Sequence, residues 1–271
     1  MQIPVKVRFK KLFSVRWRLK MPDFLVFQVY GNLASWGDVA VGEHRPTQSY
    51  PTKSAMCGLI AASLGLKREN DEPHKQLNDH YGVAVCVQSQ GELLRDYHTT
   101  QVPAGNENWF TRKDELSFDP QELKTILSQR DYQMDAFYLV AIWQKKLKDT
   151  APYSLEDIAQ ALKKPVFVTS LGRKACSPSL PYNPQLIKQT SLKNACETYT
   201  LPDELIKYQL KKEALITWYW EDLTAEESGM QHTMVYPRRD QVRSRKRWQF
   251  LKRKEYYFAE QRQTGNKSGR P

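Results

Sequence analysis

The chain has 271 residues, of which 40% are hydrophobic and 11% aromatic, and its formal net charge is +11. This length can bury a large core, the aromatic content excludes wholesale disorder, and no apolar run approaches the length of a membrane span. The four cysteines have neither metal-ligand spacing nor a histidine cluster beside them, which argues against a zinc site and indicates a reducing, cytoplasmic location.

The positive charge is concentrated at the two ends of the chain. Residues 1–20 carry seven Lys or Arg and no acid, residues 238–254 carry nine against one acid, and residues 21–237 hold 22 basic and 27 acidic residues. A polyanion attracted by bulk charge is therefore expected at the ends, whereas a site in the middle must rely on a few placed cations. We predict a basic N-terminal extension over 1–20, a folded domain over 21–236 and a basic C-terminal tail over 237–271.

The first half of the domain contains two apolar segments that predict strands, and the segments between them predict helices. Apolar residues predict a buried first strand over 24–30, followed by a helix from about 53 to 64. The charged stretch 67–80 predicts a second, short helix. A strand over 83–87 and another over 92–99 flank a short turn, so we expect these two strands to form a hairpin.

The second half begins with a long polar insertion over 100–118, of the kind that is usually functional or disordered. An apolar strand over 136–143, a helix that begins at Ser154 and a strand over 165–169 follow. This order predicts an α+β, ferredoxin-like βαββαβ fold with an insertion after the hairpin, the topology of RRM-like domains. The basic-Gly-aromatic signature of RNA-recognition motifs is absent, so stacking of bases on the sheet has no support.

The first candidate site is the start of the helix at residue 53. Thr52 is a plausible N-cap, Lys53 and Ser54 lie on the first turn, and Arg45 stands just upstream, so the unpaired N–H groups and the helix dipole could hold a phosphate. The alternative is that Thr52 caps a packing helix and that both cations are solvated. A nucleotide P-loop is excluded because Thr47 and Thr52 stand where that motif needs glycines.

The second candidate site is a loop that follows the predicted strand 165–169. Gly172 permits close backbone approach, and the cations Arg173 and Lys174 come next, before Cys176. The alternative is an ordinary solvated turn.

The third candidate site lies on the predicted strand 92–99. Alternation places Tyr97 on one face and Asp96 with His98 on the other. Tyr97 and His98 could act as acid and base in metal-free RNA cleavage, with Lys53 steadying a phosphate. The alternative is structural, because a His beside an Asp on a strand is usually a hydrogen-bonded pair.

A family resemblance is carried by eight segments in one order: 31–37, 44–47, 51–54, 58–65, 94–99, 130–136, 136–143 and 170–178. Together they resemble the fifth family of CRISPR-associated proteins, in the branch that supplies a subunit of type I-E Cascade surveillance complexes and belongs to the RAMP superfamily. The likeness covers about residues 24–178, is weaker over 181–258 and is absent over 1–20.

The resemblance implies a ferredoxin-like palm with a thumb formed by the insertion near 100–130. It also implies a non-catalytic, RNA-binding subunit for antiviral defence, which holds the 5-prime handle of the crRNA. Such a subunit caps the complex beside the backbone subunit and the large, PAM-reading subunit. No cofactor, metal or membrane is expected, and the basic tail 237–271 is a candidate contact for target DNA.

The resemblance also assigns roles to the candidate residues. Handle phosphates would be met by Arg45, Thr52, Lys53 and Ser54, and handle nucleotides would be cradled by Gly172, Arg173, Lys174 and Cys176. Tyr97 and His98 complete the candidate RNA-binding set. The alternative is a metal-independent endoribonuclease that processes CRISPR repeat RNA, as in the related type I-C branch, and Tyr97, His98, His44 and Lys53 would carry it.

Overall fold

The structure, a computed structural model, describes residues 23–103, 110–117, 119, 121, 123–147, 149–201 and 215–262. The predicted N-terminal extension over 1–20 and the last part of the predicted tail, 263–271, lie outside these residues. Across the described ranges the fold is mixed α+β with mostly antiparallel sheets, which confirms the predicted class. None of the helices in these ranges combines the length and apolar character that crossing a membrane requires.

The described strands and helices follow one another in this order: β1 (Asp23–Tyr30), β2 (Leu33–Ala34), β3 (His44–Arg45), α1 (Lys53–Ser63), α2 (Asp71–His80), β4 (Tyr81–Ser89), β5 (Glu92–Pro103), α3 (Arg112–Glu115), β6 (Leu123–Met134), β7 (Phe137–Gln144), α4 (Leu155–Lys163), β8 (Gln185–Lys188), α5 (Leu192–Thr198), β9 (Leu215–Trp220), α6 (Ala225–Ser228), β10 (Met234–Ser244) and β11 (Gln249–Gln261).

The larger sheet has the order β10-β11-β9-β4-β7-β1-β8, and its neighbouring strands are antiparallel. Its central strands are buried on both faces, because alternate residues belong to two separate cores. Phe27 and Val29 pack in the core that contains α1 and α4, whereas Phe24 and Val26 pack in the core that contains α5. This explains why β1 has a continuous apolar sequence rather than an alternating one.

The predicted hairpin of 83–87 with 92–99 is wrong. β4 pairs with β7 in the larger sheet, whereas β5 pairs along its whole length with β6 in a second sheet, which also includes β2 and β3. If the polar strand β5 paired with β4 in the larger sheet, its charged side chains would lie inside a sheet whose central strands are buried on both faces, which is unfavourable. Residues 100–103 of the predicted polar loop extend β5, the loop also contains α3, and residues 104–109 lie outside the described ranges.

The predicted strand over 165–169 is also wrong. The backbone N–H groups of Val166 and Phe167 donate to the carbonyls of Ser63 and Ala62, at 3.0 and 3.1 Å, at the end of α1. Carbonyls in the last turn of a helix lack intrahelical partners, so this segment satisfies them instead of joining a sheet. The strand that follows α4 in the larger sheet is β8, which pairs with β1.

The boundary that we predicted at residue 236 falls inside β10. Residues 237–261 belong to β10 and β11 and to the turn between them, and β11 pairs with β9 within the larger sheet. The segment joins the sheet because it carries inward-facing groups as well as cations: Val242, Asp240 and Glu255 are all buried. The basic segment is therefore part of the domain over these residues.

Candidate nucleic-acid interface

The N-terminus of α1 is satisfied from within the chain. The hydroxyl of Thr52 accepts a hydrogen bond from the backbone N–H of Ala55 at 3.2 Å, as the predicted N-cap requires. The carboxylate of Asp240, on β10, accepts from the backbone N–H of Lys53 at 2.8 Å. A helix N-terminus favours a negative charge, and here Asp240 supplies it. The expected phosphate position is thus filled by a carboxylate of the protein.

The side chain of Lys53 is buried, with 3% of the residue exposed. Its ammonium lies 2.5 Å from Oε1 of Glu221 and donates to the carbonyl of Asn78 at 2.8 Å. Burial lowers the pKa of Lys53, and the charge of Glu221 opposes this shift. The carbonyl of Ser54 accepts from the guanidinium of Arg245. The structure therefore gives Thr52, Lys53 and Ser54 structural contacts and leaves the Lys53 ammonium inaccessible to a phosphate.

The loop from Gly172 to Cys176 is shaped by its two ends. Gly172 has a φ of +91°, and a Cβ placed there would lie 1.7 Å from the carbonyl oxygen of Ser35. Cys176 is buried, burial raises the pKa of its thiol, and its carbonyl accepts from the N–H of Leu171 at 2.7 Å. Gly172 and Cys176 thus fix the loop, while Lys174 between them is exposed.

Arg173 joins this loop to the second sheet. Its guanidinium donates to the carbonyl of Arg45 at 2.8 Å and to that of Asp131 at 3.1 Å, and it lies over the ring of Tyr132, 4.5 Å from the ring centre. The structure therefore brings together Arg45 from the first candidate site and Arg173 from the second, with exposed Lys174 next in the chain.

Asp131, on β6, is the centre of this region. Its carboxylate accepts from Nε of Arg95 at 2.9 Å and lies 2.9 Å from Nε2 of His44, and its side chain is only 6% exposed. The hydrogen bonds and charges of Arg95 and His44 hold the pKa of Asp131 below its usual value despite burial. We use the name Asp131 cluster for Asp131, His44, Arg45, Arg95, Arg173 and Lys174.

Asp131 and Arg95 were absent from our predicted site. Both residues lie in segments that carry the family resemblance, 94–99 and 130–136, but nothing in the sequence indicates that the two residues are in contact. The link is the register of the second sheet, in which Arg95 lies directly opposite Asp131. Side chains directly opposite in an antiparallel pair share a face, and this places them in contact.

Tyr97 and His98 are not brought together. Tyr97 lies opposite Gln129 and shares the face of Arg95, whereas His98 points to the other face, where its ring contacts the carboxylate of Asp96. Lys53 is buried elsewhere, against Glu221, the residue that directly follows β9. The proposed acid and base therefore face opposite sides of β5. Within the described part of the chain, no group of three or more His, Cys, Asp or Glu could hold a metal ion.

The Asp131 cluster predicts a specific acid dependence of stability. The folded pKa of Asp131 is lowered, so its stabilising contribution is complete above the unfolded pKa of about 3.9 and is lost as pH falls through the folded value. We expect Asp131→Asn to cost about 1–3 kcal/mol of unfolding free energy near neutral pH, because the charge that binds Arg95 and His44 is removed. Urea unfolding between pH 7 and pH 3 should show this difference shrinking below about pH 4.

Asp149→Asn is the control, because Asp149 is exposed and its removal leaves no buried group without a partner. This variant should unfold like the unmodified chain at every pH. An Asp131→Asn difference that stays constant down to pH 3 would contradict the assigned role of the charge.

Comparisons with known proteins agree with one another. A family model described as CRISPR-associated protein (Cas_Cas5) matches residues 24–254. The CRISPR system Cascade subunit CasD of Escherichia coli (strain K12) is 30% identical over 171 residues, which cover 59% of this chain and 70% of that protein.

Two solved structures share the fold. A chain of a CRISPR RNA-guided surveillance complex superposes with a TM-score of 0.55 at 20% identity, covering 88% of this chain and 89% of that chain. A crystal structure of a Cas protein superposes with a TM-score of 0.51 at 24% identity, covering 88% and 94% respectively.

Proposed function

Because the chain belongs to the Cas5 family of CRISPR-associated proteins, we propose that it is the CasD-type subunit of a type I-E Cascade complex that holds the 5-prime handle of the crRNA. The observation that carries this proposal is the Asp131 cluster. It gathers Arg45, Arg173 and Lys174 from two distant parts of the chain onto one accessible region of the second sheet. Guanidinium and ammonium groups so placed suit a phosphate backbone.

The buried carboxylate of Asp131 orients its neighbours. Arg95 and His44 contact this carboxylate, and the main-chain carbonyl of Asp131 accepts a hydrogen bond from Arg173. These three side chains are therefore ordered before RNA binds. Groups that are already ordered lose less conformational entropy on binding, which increases affinity. Arg45 and Lys174 are exposed beside them and are the residues that we assign to handle phosphates.

The architecture supports the palm and thumb of this proposal. Each of the strands β4-β7-β1-β8 is antiparallel to its neighbours, and β1 and β4 are linked through α1 and α2 with β7 between them, which is the ferredoxin-like arrangement. The β5-β6 sheet is inserted between β4 and β7 and serves as the thumb. In this proposal the subunit works in the cytoplasm, caps the complex, and contacts the backbone subunit and the large, PAM-reading subunit.

We assign no catalytic step to the subunit. A Tyr and a His that act together in general acid–base catalysis must both reach one phosphodiester, and Tyr97 and His98 face opposite sides of β5. His44 is engaged with Asp131, and Lys53 is buried with Glu221. The four residues of the nuclease alternative thus do not lie together in one site.

The test is co-expression of the chain with a CRISPR array and its neighbouring subunits, followed by purification and sequencing of the ends of the bound RNA. We expect handle-bearing RNA, and we expect Arg45→Ala with Lys174→Ala to reduce its affinity about tenfold or more, because two phosphate contacts are lost. The slope of log affinity against log salt should fall by about 1.4, or about 0.7 for each contact.

Lys163→Ala with Lys164→Ala is the matched control, because these two neighbouring lysines are exposed at the end of α4, away from the cluster. This double variant should retain the RNA. Cutting of isolated repeat RNA by the lone protein in EDTA, lost in His98→Ala or Tyr97→Phe, would instead establish the endoribonuclease.

A further inference from the structure

The hairpin of β10 and β11 exposes only positive charge between residues 238 and 255. Its two acids, Asp240 and Glu255, are buried, and Arg253 binds both of them at distances of 2.6 to 2.9 Å. The exposed charged residues that remain are Arg239, Arg243, Lys246, Arg247, Lys252 and Lys254. Since the acids are neutralised inside, the outer surface attracts polyanions without internal competition.

The turn of this hairpin is fixed to the helices beneath it. The carboxylate of Asp71, at the start of α2, accepts from the backbone N–H groups of Arg245 and Lys246 at 2.8 and 3.1 Å, and from the hydroxyl of Ser244 at 2.6 Å. The guanidinium of Arg245 also reaches the carbonyl of Ser54 on α1. These contacts hold the turn in one conformation, which lowers the entropic cost of binding a ligand there.

Trp248, at the end of the turn, combines an uncommon backbone conformation with an exposed side chain. Its φ is +56°, a left-handed conformation that is uncommon for a bulky residue, and 56% of the residue is exposed. The guanidinium of Arg68 lies over its ring, 4.4 Å from the ring centre, and Phe250 packs against it edge to face. An exposed indole stacked with a guanidinium is a planar, cationic platform on which an unpaired base can stack.

We infer that this hairpin tip is a second nucleic-acid site, which binds a single strand separately from the Asp131 cluster. The exposed cations neutralise successive phosphates, and an unpaired base stacks at Trp248 and Arg68. The site lies on the edge strand pair of the larger sheet, whereas the Asp131 cluster lies on the second sheet. A single strand bound here would be a second ligand, in addition to the crRNA handle of the proposed function. Single-stranded DNA and RNA share the chemistry that it recognises.

The test measures binding of labelled dT30, U30 and a 30-base-pair DNA duplex to the full chain by fluorescence anisotropy over a range of salt concentrations. Trp248→Asn removes the ring but keeps a residue that tolerates a positive φ, and we expect it to weaken single-strand binding about tenfold. Trp248→Tyr keeps an aromatic ring and should bind within about threefold of the unmodified chain. Lys246→Gln with Arg247→Gln should lower the salt slope by about 1.4.

Two controls separate this site from the proposed function. Lys163→Gln with Lys164→Gln removes two exposed lysines elsewhere and should leave binding unchanged, and Arg45→Ala with Lys174→Ala should lose handle RNA while keeping the labelled strands. Tighter binding of dT30 or of U30 identifies the natural ligand as DNA or RNA. The inference is overturned if Trp248→Asn has the same thermal unfolding midpoint as the unmodified chain and binds the single strands equally well. It is also overturned if the duplex binds as tightly as the single strands.

Discussion

Gly172→Ala should lower the unfolding free energy by about 4 kcal/mol and the thermal midpoint by about 10 °C. Two costs combine at this position. The φ of +91° is unfavourable for any residue with a Cβ, and the new methyl group would lie 1.7 Å from the carbonyl oxygen of Ser35. That contact involves backbone, so the loop must move away from the second sheet. Arg173 would then lose its contact with the carbonyl of Asp131, and handle RNA should be released as well.

Gly37→Ala is the matched control for this prediction. Gly37 has a positive φ of +55°, but a Cβ placed there has no atom within 4 Å. This variant therefore carries the conformational cost alone, about 1–2 kcal/mol. Thermal and urea unfolding of both variants measure the difference. Equal losses in the two would show that the close approach of Gly172 to Ser35 does not contribute.

Lys53→Met should cost about 3 kcal/mol of unfolding free energy. Removing one partner of a buried ion pair leaves the other charge without compensation, and the Glu221 side chain is only 4% exposed. Lys145, whose ammonium is 3.5 Å from the second oxygen of Glu221, limits the loss. Urea unfolding measures it, and the RNA affinity of the folded variant should stay within about twofold of the unmodified chain.

The double variant Lys53→Met with Glu221→Gln tests the pairing itself. It removes both charges and keeps an oxygen that can accept from the backbone N–H of Val83, as Glu221 does at 3.3 Å. We expect it to be more stable than Lys53→Met alone, by about 1–2 kcal/mol. A loss of RNA affinity in Lys53→Met, at full stability, would instead restore this lysine to the binding site.

Local sequence predicted those elements whose causes are local. The capping box of α4 is confirmed, because Ser154 and Asp157 exchange side-chain and backbone hydrogen bonds three residues apart. The strands β1, β4 and β7 and the helices α1 and α2 are also confirmed, because the sequence patterns that predict them lie within each segment. Strand pairing failed where a polar strand followed an apolar one, since adjacency in sequence does not decide which sheet a strand joins.

The candidate site shows the same division. The residue types Arg45, Arg173 and Lys174 were predicted, but their common centre, Asp131, depends on the register of β5 with β6. The prediction for Lys53 is wrong because its partner, Glu221, lies far along the chain, directly after β9. A pattern read over ten or twenty residues contains no information about such a partner.

The cap that Asp240 provides to α1 has a consequence for synthesis. The backbone N–H of Lys53 donates to Asp240, 187 positions later in the chain, and the carbonyl of Ser54 accepts from Arg245, which is further along still. During translation α1 emerges long before β10, so its first turn stays solvated until most of the domain has left the ribosome. Contacts between such distant positions form slowly, and partly made domains are prone to aggregate. The first turn of α1 thus gains this acceptor only when β10 docks, so a chain shortened before residue 240 leaves the backbone N–H of Lys53 to water.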